Sequence, residues 1–79
     1  MKLPRDLAGD KLARILCKDW GYSVVHQVGS HIILQTENPS HQRLPVPAHG
    51  FLRIGTLNSI LKLVANHKGV TKEEILDSL

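Results

Sequence analysis

The sequence predicts a small α+β domain in which a three-stranded antiparallel sheet packs against helices. The expected element order is α-β-β-β-α with a short extra C-terminal helix. Three observations predict it. Apolar residues recur at helical spacing from Gly9 to Trp20, the dipeptide Gly29-Ser30 lies between two β-branched runs, and a second helical pattern follows Gly55-Thr56. A chain of 79 residues has room for one domain, taken as 1–79, with one core that buries about 60–65% of the unfolded surface.

In the first helix Leu12, Ala13, Ile15, Leu16 and Trp20 fall on one face, and Gly21 fits as its C-terminal stop. The opposite face collects Lys11, Arg14 and Lys18 at intervals of three and four. Such a stripe either lies against phosphates or is an ordinary solvated face, and the sequence leaves both readings open.

The hairpin follows. Glycine takes the positive φ of a tight turn, so Val28 is expected to pair with His31 across Gly29-Ser30. That pairing sets Tyr22, Val24, His26 and Val28 on one face with His31 and Ile33. Val25, Ile32 and Leu34 take the other face, the one expected to meet the helices. His31 begins the second strand with rigid backbone behind it and solvent in front, a place that suits a proton-transfer group. A histidine at a strand start is also commonly nothing more than a surface residue.

Glu37-Asn38-Pro39-Ser40-His41 reads as a polar turn, and Arg43 to Pro47 as a third strand carrying Leu44 and Val46. Pro45 and Pro47 cannot donate ladder bonds, which assigns that strand to a sheet edge. His49 and Gly50 fall in a loop. Thr56 is the expected N-cap of the second helix, whose apolar positions are Leu57, Ile60, Leu61 and Val64. The free amides there, with Arg53 beside them, suit a phosphate, or else simply begin a capped helix among solvated cations. Thr71 and Glu74 form a capping box that opens a terminal helix burying Ile75, Leu76 and Leu79.

A formal charge of +3 and a pI near 9.4 favour a polyanion or an acidic protein as partner. The lone Cys17 excludes an intramolecular disulfide and agrees with a reducing compartment. No stretch reaches the roughly 18 apolar residues of a membrane span, so a soluble, cytoplasmic protein is expected. His26 and His31 lack metal-ligand spacing and an accompanying carboxylate, so neither a metal nor another cofactor is expected.

Several stretches in order carry a resemblance. They are Lys2-Leu3-Pro4-Arg5-Asp6-Leu7 with Gly9, then Trp20-Gly21-Tyr22, Gly29-Ser30-His31, Val46-Pro47-Ala48-His49 and Gly55-Thr56-Leu57-Asn58-Ser59-Ile60-Leu61. Together they resemble the HicA-type (YcfA-like) toxins, mRNA interferases of bacterial toxin–antitoxin pairs. The resemblance implies a fold like a double-stranded RNA-binding domain, with His31 in the place of the family's catalytic histidine. It also implies metal-independent endonuclease cleavage of mRNA that stops translation as a stress response, silenced by a HicB-like antitoxin. In that chemistry Gly29, Ser30 and Arg53, with Lys11, Arg14 and Lys18, are the candidate RNA-binding groups.

The chain departs from the family pattern at three places. His26-Gln27-Val28 stand where relatives often carry Arg or Lys, Ala8 replaces a capping serine, and Ala65-Asn66-His67-Lys68 looks inserted before the last helix. The competing reading is a noncatalytic RNA-binding or protein-interaction module on the same fold. Nothing in the sequence sets an oligomeric state, and a monomer is compatible with it.

Overall fold

The computed structural model describes residues 3–79; Lys2, in the opening stretch noted above, lies outside them. The elements are α1 (Gly9–Asp19), β1 (Ser23–Val28), β2 (His31–Thr36), β3 (Gln42–Pro47), α2 (Ile54–Lys68) and α3 (Lys72–Leu76). The sheet is antiparallel in the order β1-β2-β3, which puts the proline-bearing β3 at an edge. This is the expected α+β architecture and order. Leu34, Leu44 and Val46 project from one face of the sheet into a core completed by Leu12 and Leu16 of α1, Leu57, Leu61 and Val64 of α2, and Ile75 of α3.

The turn has the expected register, with Val28 opposite His31, Gln27 opposite Ile32 and His26 opposite Ile33. Beyond that point the register shifts, because Val24 rather than Val25 pairs with Leu34. Val25 is the extra residue of a β-bulge, and each residue before it is reversed in side-chain parity. Two expectations are corrected by this one insertion. Val25 is not in the core but 43% exposed, and Tyr22, expected beside His31, is only 3% exposed and packs inside.

The helix ends differ from the simplest reading in two places. Thr56 is not the N-cap of α2. Arg53 takes that place in extended conformation, and Leu57 N donates to its carbonyl at 2.9 Å. The reason lies upstream: Leu52 is buried and its amide donates to Leu7 O at 2.8 Å, so the chain is anchored and the helix begins directly after it. Secondly, α2 runs past Val64: Ala65–Lys68, which looks inserted relative to the family pattern, is helical and forms its last turn, closed by Gly69 at φ 70°. From that turn Lys68 reaches the sheet, donating to Thr36 Oγ1 at 3.0 Å and to Asn38 O, with its Nζ 4.8 Å from the Tyr22 ring centre. Burial holds the Lys68 ammonium below its usual range.

The capping box at α3 forms as expected, with Thr71 Oγ1 accepting from Glu74 N at 3.2 Å. The α1 N-cap, Ala8, makes no side-chain bond. Instead the start of α1 is held by contact. A Cβ on Gly9 would fall 1.7 Å from the Pro47 carbonyl oxygen, so only glycine allows the helix to approach β3 this closely.

Gly9→Ala is therefore expected to destabilise the fold by about 1–3 kcal/mol through backbone overlap. Helix propensity alone would favour alanine by up to about 1 kcal/mol, so the sign of the change in denaturant midpoint checks the contact. A second outcome concerns Tyr22, the sole tyrosine, whose hydroxyl is pushed up from 10.0 to about 12 by burial and donates to Gln42 Oε1. The folded state thus favours the neutral phenol. That contribution is fully present below about pH 10 and is lost as pH rises towards 12. Absorbance titration should show tyrosinate forming near 12 in the folded protein and near 10 in denaturant.

Candidate active site

The uncovered face of the sheet is a grid set by register. Val28, His31 and Pro47 form the row next to the hairpin turn, His26, Ile33 and Pro45 the next, and Ser23, Gln35 and Arg43 the third. His31 and His26 are exposed while Ile33 and Gln35 are half-buried. No carboxylate occupies the two rows nearest the turn, so nothing there repels a phosphate, whereas Glu37 reaches the third row by accepting from Gln35.

His31 owes its position to three local causes. The middle strand pairs on both sides, with Val28 on β1 and Pro47 on β3. The turn before it has Gly29 at φ 57° and no positive φ at Ser30, the pattern of a turn with glycine at its first central position. The Ser30 carbonyl accepts from Ala48 N at 2.6 Å, which fastens the turn to the strand end beyond Pro47. A Cβ at Gly29 would meet nothing within 4 Å, so the approach to the turn is open.

The other candidate groups divide into two sets. Ala48 bonds to Ser30, Gly9 N donates to Gly50 O at 3.4 Å, and Leu52 N to Leu7 O at 2.8 Å. These bonds gather the hairpin turn, His49 and the exposed Arg53 at one end of the fold. The α1 cations are not brought there. Leu12, Ala13 and Leu16 face the sheet, so Lys11, Arg14 and Lys18 point away from it, on the side of the molecule opposite to the His31 face. Arg14 also pairs with Asp10 at 3.7 Å. An RNA touching both the stripe and His31 has to pass around the sheet.

Arg43, which the sequence marks only as the start of the third strand, is a further cation of this face. Register places it on the His31 face, opposite Gln35. Four residues separate His31 from Gln35, about 13 Å along the strand. Gln35 Oε1 accepts from Arg43 Nε at 2.8 Å while its amide donates to Glu37 at 2.8 Å, an arrangement that fixes the guanidinium. The signal available beforehand was parity: Arg43, Pro45 and Pro47 alternate with the buried Leu44 and Val46.

Of the five histidines, two are engaged elsewhere. His41 Nδ1 lies 2.9 Å from Glu37 and His67 Nε2 lies 2.8 Å from Ser40 O, both by the β2–β3 connection. Among the described residues, no three His, Cys, Asp or Glu side chains cluster as a metal site. Cys17 is half-buried on α1, and burial pushes its thiol up, away from the thiolate a nucleophile needs. Among the described residues no helix is long and apolar enough to cross a membrane. The groove between α2 and α3, walled by Leu63, Val70 and Lys72, does not include His31. An open sheet face with exposed imidazoles suits a polymer more than a small molecule, which needs enclosure.

The family model described as HicA toxin of bacterial toxin-antitoxin matches residues 9–65, well over half of the chain. No curated protein and no solved structure matches it significantly.

The turn yields its own test. Gly29→Val should cost about 1–2 kcal/mol through backbone strain alone, because the added side chain meets open space. Asparagine tolerates positive φ, so Gly29→Asn should lower the thermal midpoint distinctly less, as read by calorimetry of the two variants.

Proposed function

Because the chain belongs to the HicA toxin family of bacterial toxin-antitoxin systems, we propose that it is a metal-independent endoribonuclease that cleaves mRNA, with His31 as general base. The observation that carries this reading is the placement of an exposed imidazole directly after an unobstructed glycine turn, in a row with Val28 and Pro47 that carries no carboxylate. A neutral imidazole there takes the proton of a ribose 2′-hydroxyl, and base catalysis of this kind is worth about a hundred- to ten-thousand-fold. The 2′-oxygen then attacks the adjoining phosphorus.

The Gly29 and Ser30 amides are used by no turn or loop bond among the described residues, and with the Ser30 hydroxyl they are the donors nearest the attacked phosphate. Arg53, at the turn end of the fold, and Arg43, in the third row of the open face, supply positive charge to phosphates further along the strand. Lys11, Arg14 and Lys18, facing away, serve a more distant part of a bound strand. The toxin acts in the cytoplasm, and a HicB-like antitoxin silences it by covering the same face. The exposed Val25 and Val28 beside His26 and His31 give that partner an apolar surface to bury.

Expression of the wild type without an antitoxin should arrest growth and fragment mRNA, whereas His31→Ala should do neither. The purified wild type should cleave RNA in the presence of a chelator. Equal cleavage by both proteins, or its absence from both, would overturn the assignment. Because His31 is exposed, the variant should keep the wild-type thermal midpoint, and that control separates lost chemistry from lost folding.

A further inference from the structure

A phosphodiester cleaved by a single base still has to release its 5′-oxygen, and that oxygen leaves poorly unless it is protonated. We infer that His26 is the general acid of this chain, an inference that rests on the ribonuclease reading of His31. The two side chains share the open face. His31 lies opposite Val28, and His26 lies two residues further along β1, opposite Ile33. They are therefore diagonal neighbours across one ladder, a relation that sets backbone positions about 7–8 Å apart and within reach of long side chains. The Val25 bulge follows immediately, and bulges sharpen the local twist and re-aim the side chains beside them.

In-line displacement needs its base and its acid on opposite sides of the phosphorus. Two hydrogen bonds of about 2.8 Å to an entering and a leaving oxygen keep the two rings apart rather than touching. A diagonal pair on an uncovered face meets that requirement, and a directly opposed pair would crowd it. Val28 and Ile33 flank the space between the rings, and neither carries a hydrogen-bonding side chain that competes for either imidazole. Among the described residues neither the His26 nor the His31 imidazole has a hydrogen-bond partner, unlike those of His41 and His67.

The step balances without water or metal. His31 removes the proton from the 2′-hydroxyl as the bond from O2′ to phosphorus forms. The bond from phosphorus to O5′ breaks with its electron pair on O5′, which takes the proton of the His26 imidazolium. The products are a 2′,3′-cyclic phosphate and a free 5′-hydroxyl.

The experiment uses the full chain and an RNA oligonucleotide whose cleaved bond has first been mapped with the wild type. A second oligonucleotide carries sulfur in place of the bridging 5′-oxygen at that bond, a leaving group that departs without protonation. His26→Gln should be slowed about a hundredfold or more on ordinary RNA and should return to within a few-fold of the wild type on the sulfur substrate. His31→Ala should stay slow on both. Equal slowing of His26→Gln on both substrates makes it a binding residue and overturns the inference, as does no slowing on either. Rescue by sulfur of His49→Gln but not of His26→Gln moves the acid to the loop and overturns it equally. A wild type that cuts neither RNA overturns the ribonuclease reading and this inference with it, whereas the preceding outcomes leave His31 in place.

Discussion

The carbonyl of Pro47 is the point on which the fold closes. Gly9, at the start of α1, lies so near it that a single methyl group would fall 1.7 Å from the oxygen. Pro47 is also the residue paired with His31, and the next residue, Ala48, donates to the turn carbonyl of Ser30. One close backbone approach therefore links the first helix, the edge strand and the hairpin that presents the imidazole. The chain that leaves β3 is held in the same place, since Gly50 accepts from Gly9 and Leu52 donates to Leu7. Interiors packed at this density do not relax to admit an extra group, so the position of His31 is tied to the seating of a helix that carries none of the proposed chemistry.

The second constraint is parity. A strand shows alternate residues to its two faces, and one extra residue exchanges them. Without the bulge at Val25, Tyr22 would stand in the open beside the histidines and the core would take Val25 instead. With it, Tyr22 enters the core, bonds to Gln42 and lies under the Lys68 ammonium, while His26 stays on the open face with His31. The bulge thus separates a structural part of β1 from the part that carries the chemistry. The Lys68 contact also explains the length of α2, whose last turn reaches the sheet.

Charge is distributed less simply than the net value suggests. Lys11, Arg14 and Lys18 share a helix face, but that face looks away from His31. The cation on the imidazole face is Arg43, oriented by Gln35. A basic stripe read from helical spacing shows where charges stand relative to one another; their position relative to a site depends on which side of the sheet the helix covers.

Local chemistry determined much of this protein. The period of the apolar residues set α1 and α2, glycine at the turn set the hairpin, and the prolines sent β3 to the edge, each because a steric rule acts within a few residues. The capping box of α3 was legible for the same reason. Tertiary structure decided what depends on residues far apart in the chain. The anchoring of Leu52 to Leu7 moved the start of α2 ahead of Thr56, and the bulge was settled only when Leu34 chose Val24 over Val25 as its partner. The side of the sheet covered by the helices, which leaves His26, His31 and Arg43 together in solvent, was likewise a matter of packing. Alternation marks the two faces of a strand as different, and only the elements laid against the sheet determine which face is buried.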